Sequence, residues 1–246
     1  MNKSMFLTFL AIVSIFIPAG SVGAQSLEAA RAAYAEGRFL EAASLARVPG
    51  TSEGHVLAAD SLAIHGYYMA PESEKEGLFR RAEESARKAI RLDAANPGAH
   101  LQLAHAMGRQ AQVVGTLQAL KEGYATRVRD AIEEALRLDP KMAAAHVSLG
   151  AWHAGAVGAG GFFAGLLYGA DEEKALAHFE RALVLAPRDK VALFEYALGL
   201  LSLDAEGNRA KARGLLERAI GLPPKDAFER LVNQKAVERL AALVGG

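Results

Sequence analysis

The stretch DEEKALAHFERALVLAP, residues 171–187, decides the fold of this chain. Ala175, Phe179 and Ala182 follow one another at steps of four and three, so they share one face of a helix. The first three residues are acidic and suit a helix start, where they cap free amides and favour the helix dipole. Pro187 ends the helix because proline lacks the amide hydrogen. The stretch therefore predicts a helix whose small-residue face lets a second helix approach closely.

The phrase that closes this helix occurs four times along the chain. Its versions AIRL, ALRL, ALVL and AIGL are spaced by 46, 47 and 37 residues, and a proline follows each within a few residues. After the first three prolines comes an apolar helical pattern, at residues 99–104, 145–150 and 192–197. Self-similarity of this kind is the signature of repeat architectures. The sequence predicts antiparallel helix pairs, with the apolar pattern in the first helix and the small-residue phrase in the second.

These pairs resemble the tetratricopeptide repeat (TPR) family, in which a large residue, Leu-Gly or Leu-Ala, a later Ala-x-x-x-Phe-x-x-Ala and a terminal proline define a two-helix unit. The resemblance is carried by the segments 99–140, 145–187 and 191–224, with further pairs expected at 27–48 and 54–92. It implies an all-α fold, an α-solenoid of antiparallel helix pairs that forms one TPR-like domain over residues 25–246.

Two units are longer than the 34-residue TPR period. About 12 extra residues follow Leu103 and about 13 follow Leu149, before the second helix of each pair. Long first helices with an inserted connector resemble the bacterial relatives of the regulator of microtubule dynamics family. That resemblance implies a helical repeat scaffold and carries over no catalytic residue.

The second insertion contains GAVGAGGFFAGLLYGA, residues 155–170, with six glycines and no charge. It lies within 29 residues, 142–170, that lack Asp, Glu, Lys and Arg, a length that could span a bilayer. Against a span, the acidic residues at 171–173 begin the next helix, and each glycine costs about 1 kcal/mol in a helix. A phosphate-binding loop would need G-x-G-x-x-G or a following Gly-Lys-Ser/Thr, and neither is present.

We therefore interpret residues 155–170 as a connector in which glycines allow close backbone packing. Its large apolar residues either pack in the core of the solenoid or form a lid over a ligand or partner. These residues are Phe162, Phe163, Leu166, Leu167 and Tyr168.

The first 24 residues predict a signal peptide. Lys3 supplies a positive start, an apolar stretch follows, and the small residues 22–24 suit cleavage before Gln25. An uncleaved anchor is the alternative, although Pro18 and Gly20 interrupt the apolar stretch before it reaches membrane-spanning length. The expected location is the periplasm or the exterior, with no stable membrane span after cleavage.

Composition argues against several kinds of chemistry. Lys and Arg total 28, as do Asp and Glu, so the chain lacks the basic excess of nucleic-acid-binding proteins. It has no cysteine, which excludes disulfides, thiolate metal sites and cysteine nucleophiles. His146 and His153 are seven residues apart, about 10.5 Å along a helix, too far to chelate one ion unaided. We expect no catalytic residue, cofactor or metal.

TPR superhelices usually bind partners along the concave side formed by their first helices. The family register points Gln102, Ala144, Ala151 and Leu201 toward this groove, besides the main candidates. The predicted groove or partner-binding residues are Leu101, His105, Val147, Trp152, Phe162, Phe163, Tyr168, Phe194 and Leu198. They are mostly apolar, so a partner helix, an amphipathic peptide or a lipid-like molecule is the expected guest. Alternatively, the connector and the C-terminal helix, residues 226–243, fill the groove, and Trp152 belongs to the core.

Three functions follow. The first is a non-catalytic exported scaffold that binds a protein partner through an apolar concave groove. The alternative is a periplasmic carrier or transport accessory that holds a hydrophobic small molecule. The third is an enzyme whose dispersed active site leaves no sequence motif.

Overall fold

The computed structural model describes residues 19–245, apart from the side chains of residues 19–22, 162 and 163. Within this range all regular secondary structure is helical, which confirms the predicted all-α class. The helices are α1 Ala19–Glu36, α2 Phe39–Ala46, α3 Ser52–Tyr68, α4 Glu72–Leu92, α5 Pro97–Val113, α6 Thr116–Lys121, α7 Tyr124–Leu138, α8 Ala143–Tyr168, α9 Glu172–Leu185, α10 Lys190–Leu203, α11 Arg209–Gly221 and α12 Ala227–Gly245.

The helices stack as an α-solenoid of antiparallel pairs. Successive pairs are α1 with α2, α3 with α4, α5 with α7, α8 with α9, and α10 with α11, while α6 is inserted within the third pair. The predicted signal peptide, residues 1–24, lies largely outside the described residues. Helix α1 begins at Ala19 and runs past the predicted cleavage point.

Polar caps define where several of the helices begin. The Asp171 carboxylate accepts a hydrogen bond from the Lys174 amide at 2.8 Å and so starts α9, and Asp189 starts α10 by the same kind of contact. Asn96 caps α5, and Pro97 occupies the first turn of that helix. A proline at this position loses nothing, because the amide hydrogen it lacks would have no partner in the helix. Pro97 therefore marks the beginning of the next pair as well as the end of the previous one.

Close packing between neighbouring helices depends on small residues. Ala175, Ala182 and Phe179 are buried, and the Phe179 ring stacks on Tyr196 with 4.8 Å between ring centroids. A Cβ atom placed at Gly199 would lie 2.5 Å from Phe179 Cε2, closer than real contacts allow. The small-residue faces read from the sequence are therefore the contact surfaces between neighbouring helices.

The glycine-rich connector, residues 155–170, is mostly a continuation of α8. Gly161 interrupts this helix with φ +51° and ψ −132°, and Gly169 ends it in the left-handed conformation. Gly158 approaches α10 so closely that a Cβ atom would lie 2.4 Å from the Ser202 carbonyl oxygen. A glycine therefore admits close backbone contact in this segment.

The connector does not bury its leucines, contrary to the core interpretation. After the Gly161 break, Ala164 and Ala170 are buried, whereas Leu166 and Leu167 are 70% and 68% exposed and face solvent. Phe162 and Phe163 lie within this helix, but their side chains are outside the described part, so the expectation for them stays a prediction. Tyr168 is half-buried, and its carbonyl oxygen accepts a hydrogen bond from Arg129 Nη1 of α7 at 2.9 Å.

The last helix joins the two ends of the solenoid. Helix α12 packs against α10 and α11 and also against α1. Arg230 donates a hydrogen bond to the Ala35 carbonyl oxygen at 3.1 Å, and Ala227 is buried with Phe39 and Ile64 in one apolar cluster. The concave face is consequently bounded by α12 as well as by the first helices.

Across residues 19–245, none of the helices combines the length and the apolar character needed to cross a bilayer.

Candidate functional site

The first helices of four consecutive pairs surround a cavity of about 650 Å³, hereafter the central cavity. Helices α3, α5, α8 and α10 supply most of its wall, with smaller contributions from α7 and from Phe228 of α12. The expected filling of the groove by the connector and the C-terminal helix is therefore incomplete, since Phe228 closes one side and leaves an open volume.

Four of the predicted groove residues line this cavity. Leu101 and His105 reach it from α5, and Val147 and Trp152 reach it from α8. Trp152 also belongs to the packed interior, because its indole Nε1 donates a hydrogen bond to the Ala125 carbonyl oxygen at 2.9 Å. Gln102, Ala144 and Ala151, which the family register also pointed toward the groove, line the cavity as well.

The residues of α10 that line the cavity differ from those predicted from the sequence. Phe194 is only 5% exposed and belongs to the core, and Leu198 and Leu201 lie further along the helix, outside the cavity wall. Val191 and Glu195 face the cavity instead. Glu195 lies one position after Phe194, about 100° around the helix. Tyr168 does not line the cavity, and the Phe162 and Phe163 side chains are outside the described part.

One end of the cavity carries the carboxylate of Asp60, which forms no ion pair with the other described residues. Gln102 Nε2 donates a hydrogen bond to Asp60 Oδ1 at 3.0 Å, and the Tyr34 hydroxyl also stabilises the charged carboxylate. Burial nevertheless raises the pKa of Asp60 to about 6, because these neutral donors only partly replace water. The nearby Asp226 acts in the same direction. This end of the cavity is therefore electronegative at neutral pH.

The other end carries charges of both signs. The Arg109 guanidinium lies 3.5 Å from the centroid of the Tyr67 ring, a cation–π contact. Glu195 faces the same region; burial raises the pKa of Glu195, and the positive charge of Arg109 opposes that rise. Asp60 and Tyr67 are seven residues apart on α3, as are Gln102 and Arg109 on α5, so the two ends are separated by about 10.5 Å.

His105 lies between the two ends as a neutral group. Its Nε2 is 2.8 Å from the Ser148 hydroxyl, which itself donates to the Ala144 carbonyl oxygen. Burial and, secondarily, the charge of Arg109 lower the pKa of His105 to about 4. At neutral pH the imidazole therefore bridges α5 and α8 through a hydrogen bond and adds no charge to the cavity.

Sequence reasoning missed the acidic and aromatic residues of the cavity. Asp60 is the one Asp or Glu in AADSLAIHGYY, residues 58–68, and Glu195 is the one in VALFEYALGLL, residues 191–201. A single carboxylate within an otherwise apolar helix is unusual, because an isolated buried charge is costly. That signal could have identified both residues. Tyr67, Tyr68 and Phe228 carried no comparable signal, since aromatic residues are common in cores.

A second polar cluster joins α8 to α9. His146 Nε2 lies 3.1 Å from the Pro140 carbonyl oxygen, and the facing Nδ1 atoms of His146 and His178 are 2.9 Å apart. The His153 ring stacks on His178, and its Nδ1 accepts a hydrogen bond from the Asp171 amide at 3.2 Å. Over residues 19–245, no group of three or more His, Cys, Asp or Glu is arranged to hold a metal ion.

The fold is shared with proteins of known structure. TTC0263, a thermophilic TPR protein of Thermus thermophilus, superimposes with a TM-score of 0.61 at 21% sequence identity, covering 88% of this chain and 99% of that one. The MamA protein matches with a TM-score of 0.44 at 19% identity over 82% of this chain and 91% of its own. YrrB, a TPR protein described as having an unusual peptide-binding site, gives 0.41 at 13% identity over 85% and 90%.

At these identities the first of the three matches establishes the TPR-like fold and nothing about ligands. No curated protein matches the sequence of this chain. The model of the family named Regulator of microtubule dynamics protein 1-3 matches residues 55–244, which include the cavity wall, the connector and α12. Because this match covers most of the chain, the protein belongs to the Regulator of microtubule dynamics protein 1-3 family.

Proposed function

We propose that this protein is a non-catalytic, exported binding protein that takes a short extended segment of a protein partner into the central cavity. The observation that carries the proposal is the cavity itself, which four first helices form on the concave side of the solenoid. Repeat proteins of this kind use that side for recognition. Export rests on the N-terminal sequence alone.

The polar groups of the cavity wall favour an extended guest over a helical one. An extended backbone leaves its N–H and C=O groups free to bond with the wall, whereas a helix pairs them internally. The wall offers polar partners for such a backbone, among them Gln102, His105 and Ser148. In particular, Gln102 Oε1 is buried and has no hydrogen-bond partner among the described residues.

A second candidate function is a carrier of a small amphipathic molecule. The contact of α12 with α1 favours it, because that contact bounds the concave face and leaves a volume within the usual range for small-molecule sites, about 300–1,000 Å³. Both functions use the same cavity. They differ in the guest, which is a polypeptide segment in the first and a small molecule in the second.

A glycine in the cavity wall provides a position at which a large side chain should block the cavity. Gly108 lies within α5 and lines the cavity, and a Cβ atom placed there meets no atom within 4 Å. Gly77 within α4 is equally open but does not line the cavity, so Gly77→Phe is the matched control for Gly108→Phe. Both changes remove a helical glycine, so both are expected to preserve helix stability.

The experiment purifies the wild type and both variants from the envelope of the native host and identifies bound material by mass spectrometry. We expect one polypeptide, at constant stoichiometry, with the wild type and with Gly77→Phe, and its loss with Gly108→Phe. A stoichiometric small molecule with the same pattern would establish the carrier function instead. Equal recovery of the guest from all three proteins would overturn both functions of the cavity.

Export has its own test. N-terminal sequencing of the protein from fractionated native cells is expected to begin at Gln25 in the periplasmic or extracellular fraction. A full-length chain in the cytoplasmic fraction would contradict export and leave cavity binding unaffected.

A further inference from the structure

We infer that the central cavity selects a guest that carries an ammonium or guanidinium group, and that this group binds the carboxylate of Asp60. The inference rests on the proposed function and adds the chemistry of the guest. The cation could belong to a lysine or arginine side chain of a peptide or to a free organic amine.

The balance of charge in the cavity wall is negative. Among the described residues that line it, the carboxylates are those of Asp60, Asp189 and Glu195, and Arg109 is the one guanidinium. Asp189 is engaged as the cap of α10, where it accepts a hydrogen bond from the Ala192 amide at 3.0 Å. His105 is neutral at physiological pH. A cationic guest would neutralise the excess charge, whereas an anionic guest would increase it.

The charges are unevenly distributed in the cavity wall, and their positions favour Asp60 over Glu195 as the group that binds the guest cation. Arg109 is the positive group whose field reaches Glu195, so that end of the cavity is close to neutral. Asp60 takes part in none of the ion pairs formed by residues 19–245, and the carboxylate of Asp226 also acts on it. Arg109 lies about 10.5 Å from this end along α5. A guest cation therefore meets attraction at Asp60 and repulsion near Arg109.

The surroundings of Asp60 leave hydrogen-bonding capacity for a guest. Gln102 donates Nε2 to Asp60 Oδ1, while its Oε1 is buried without a partner in the described part of the chain. Both residues line the same part of the wall. An ammonium group has three donors and no acceptor, so it can donate to the Asp60 carboxylate. A carboxylate guest would bring no donor to Asp60.

Aromatic side chains provide a surface for the rest of the guest. Tyr67, Tyr68, Trp152 and Phe228 all line the cavity. Tyr68 packs edge to face with Tyr67 at 4.7 Å and with Phe228 at 6.0 Å between centroids, which fixes the positions of the rings. The wall therefore suits a cation attached to an apolar body, such as the methylene chain of lysine.

The test compares three blocked tripeptides, acetyl-Leu-X-Leu-amide, in which X is lysine, norleucine or glutamate. Isothermal titration calorimetry measures their affinity for the full mature chain, and n-octylamine and n-octanol serve as the matched pair for a free amine. We expect lysine to bind about tenfold more tightly than norleucine, because a charge-assisted hydrogen bond contributes about 1.5 kcal/mol or more. Glutamate is expected to bind most weakly.

Variants locate the effect at Asp60. Asp60→Asn keeps the shape of the side chain and removes its charge, so the preference for lysine over norleucine should fall to about twofold or less. Glu195→Gln is the control for a second carboxylate in the same wall, and it should retain most of the preference. If Asp60→Asn fails to fold, the side-chain amide resonance of Gln102 in the wild type replaces it: lysine peptide should shift this resonance, and norleucine peptide should not.

The outcomes separate the inference from the proposed function. Equal affinity for lysine and norleucine peptides, both lost in Gly108→Phe, would overturn the cation site and leave cavity binding intact. Preference for lysine that survives in Asp60→Asn would overturn the assignment to Asp60. Binding of n-octylamine alone would identify a free amine as the source of the cation. Binding of none of the five probes would overturn the inference together with the peptide and small-molecule functions of the cavity.

Discussion

Lys190 and Asn233 join the last repeat to the C-terminal helix through a hydrogen bond of 2.6 Å from Lys190 Nζ to Asn233 Oδ1. The same ammonium group donates to the carbonyl oxygens of Ala219 and Leu222, each at 2.7 Å. Lys190 is fully buried, and its three hydrogen bonds connect the C-terminal end of α11 to α12. Because α12 bounds the central cavity, this lysine holds one wall of the candidate site in place.

Replacing Lys190 should therefore release α12. Lys190→Met keeps a side chain of similar size but removes three hydrogen bonds to buried or partly buried acceptors, and each such loss costs about 1–3 kcal/mol. We expect the free energy of unfolding to fall by about 3 kcal/mol or more, with faster amide hydrogen exchange in α12 than in α3 or α5.

Lys235→Met is the control for this prediction. Lys235 pairs with Glu238 on the exposed side of the same helix, and such pairs contribute well under about 1 kcal/mol. Urea unfolding measures both variants. Equal stability of the two would show that the hydrogen bonds of Lys190 do not hold α12.

The close packing of α9 against α10 predicts a large effect for a small substitution. In Gly199→Ala the new methyl group would lie 2.5 Å from the Phe179 ring, which is itself held by Tyr196. Overpacking of this kind costs about 1–3 kcal/mol. Gly214→Ala, within α11, meets no atom within 4 Å and should instead stabilise the protein by about 1 kcal/mol. Thermal unfolding of both variants checks the opposite signs, and destabilisation by Gly214→Ala would contradict the argument.

The helix pairs could be predicted from the sequence because small residues at helical spacing indicate a helix face against which another helix packs closely. Ala175, Phe179 and Ala182 could only be buried together, and the structure buries them. The α10 candidates do not line the cavity, and the reason is different. Phe194, Leu198 and Leu201 are as apolar as a groove residue should be, but apolarity cannot separate the core side of a helix from the cavity side when both are apolar.

The central cavity itself could not be predicted, since it depends on how far α12 reaches. Contact between α12 and α1 brings together residues almost 200 positions apart, such as Ala35 and Arg230. Nothing in the local pattern of α12 specifies that contact. A similar distance in sequence separates Tyr34 from Asp226. The electronegative end of the cavity, which depends on both residues, therefore could not be predicted from the sequence either.

Acid should destabilise the protein through its buried histidines. His153 is 4% exposed, and burial lowers its pKa to about 4, with His178 contributing second. The unfolded chain binds a proton near pH 6.5, whereas the folded chain does not until near pH 4. The stability contributed by His153 is thus present above pH 6.5 and lost as the pH falls. Between pH 7.5 and pH 5 we expect a loss of about 2 kcal/mol from this residue.

His153→Asn tests this contribution. The Asn oxygen can accept the hydrogen bond that His153 Nδ1 receives from the Asp171 amide, and asparagine does not titrate. The variant should therefore lose less stability than the wild type between pH 7.5 and pH 5 in urea titrations. An identical loss in both proteins would show that His153 titrates alike in the folded and unfolded chains.

Asp60 should act in the opposite direction over the same range. Its pKa is about 6 in the folded protein and near 4 in the unfolded chain, so the folded state binds the extra proton. Its favourable contribution is fully present below pH 4 and disappears as the pH rises through 6. Compared with Asp60→Asn, the wild type should gain about 1 kcal/mol of stability when the pH falls from 7.5 to 5. Urea unfolding at both pH values measures this difference. A difference of the opposite sign would mean that a nearby positive charge keeps Asp60 ionised, which would also remove the reason for placing a guest cation there.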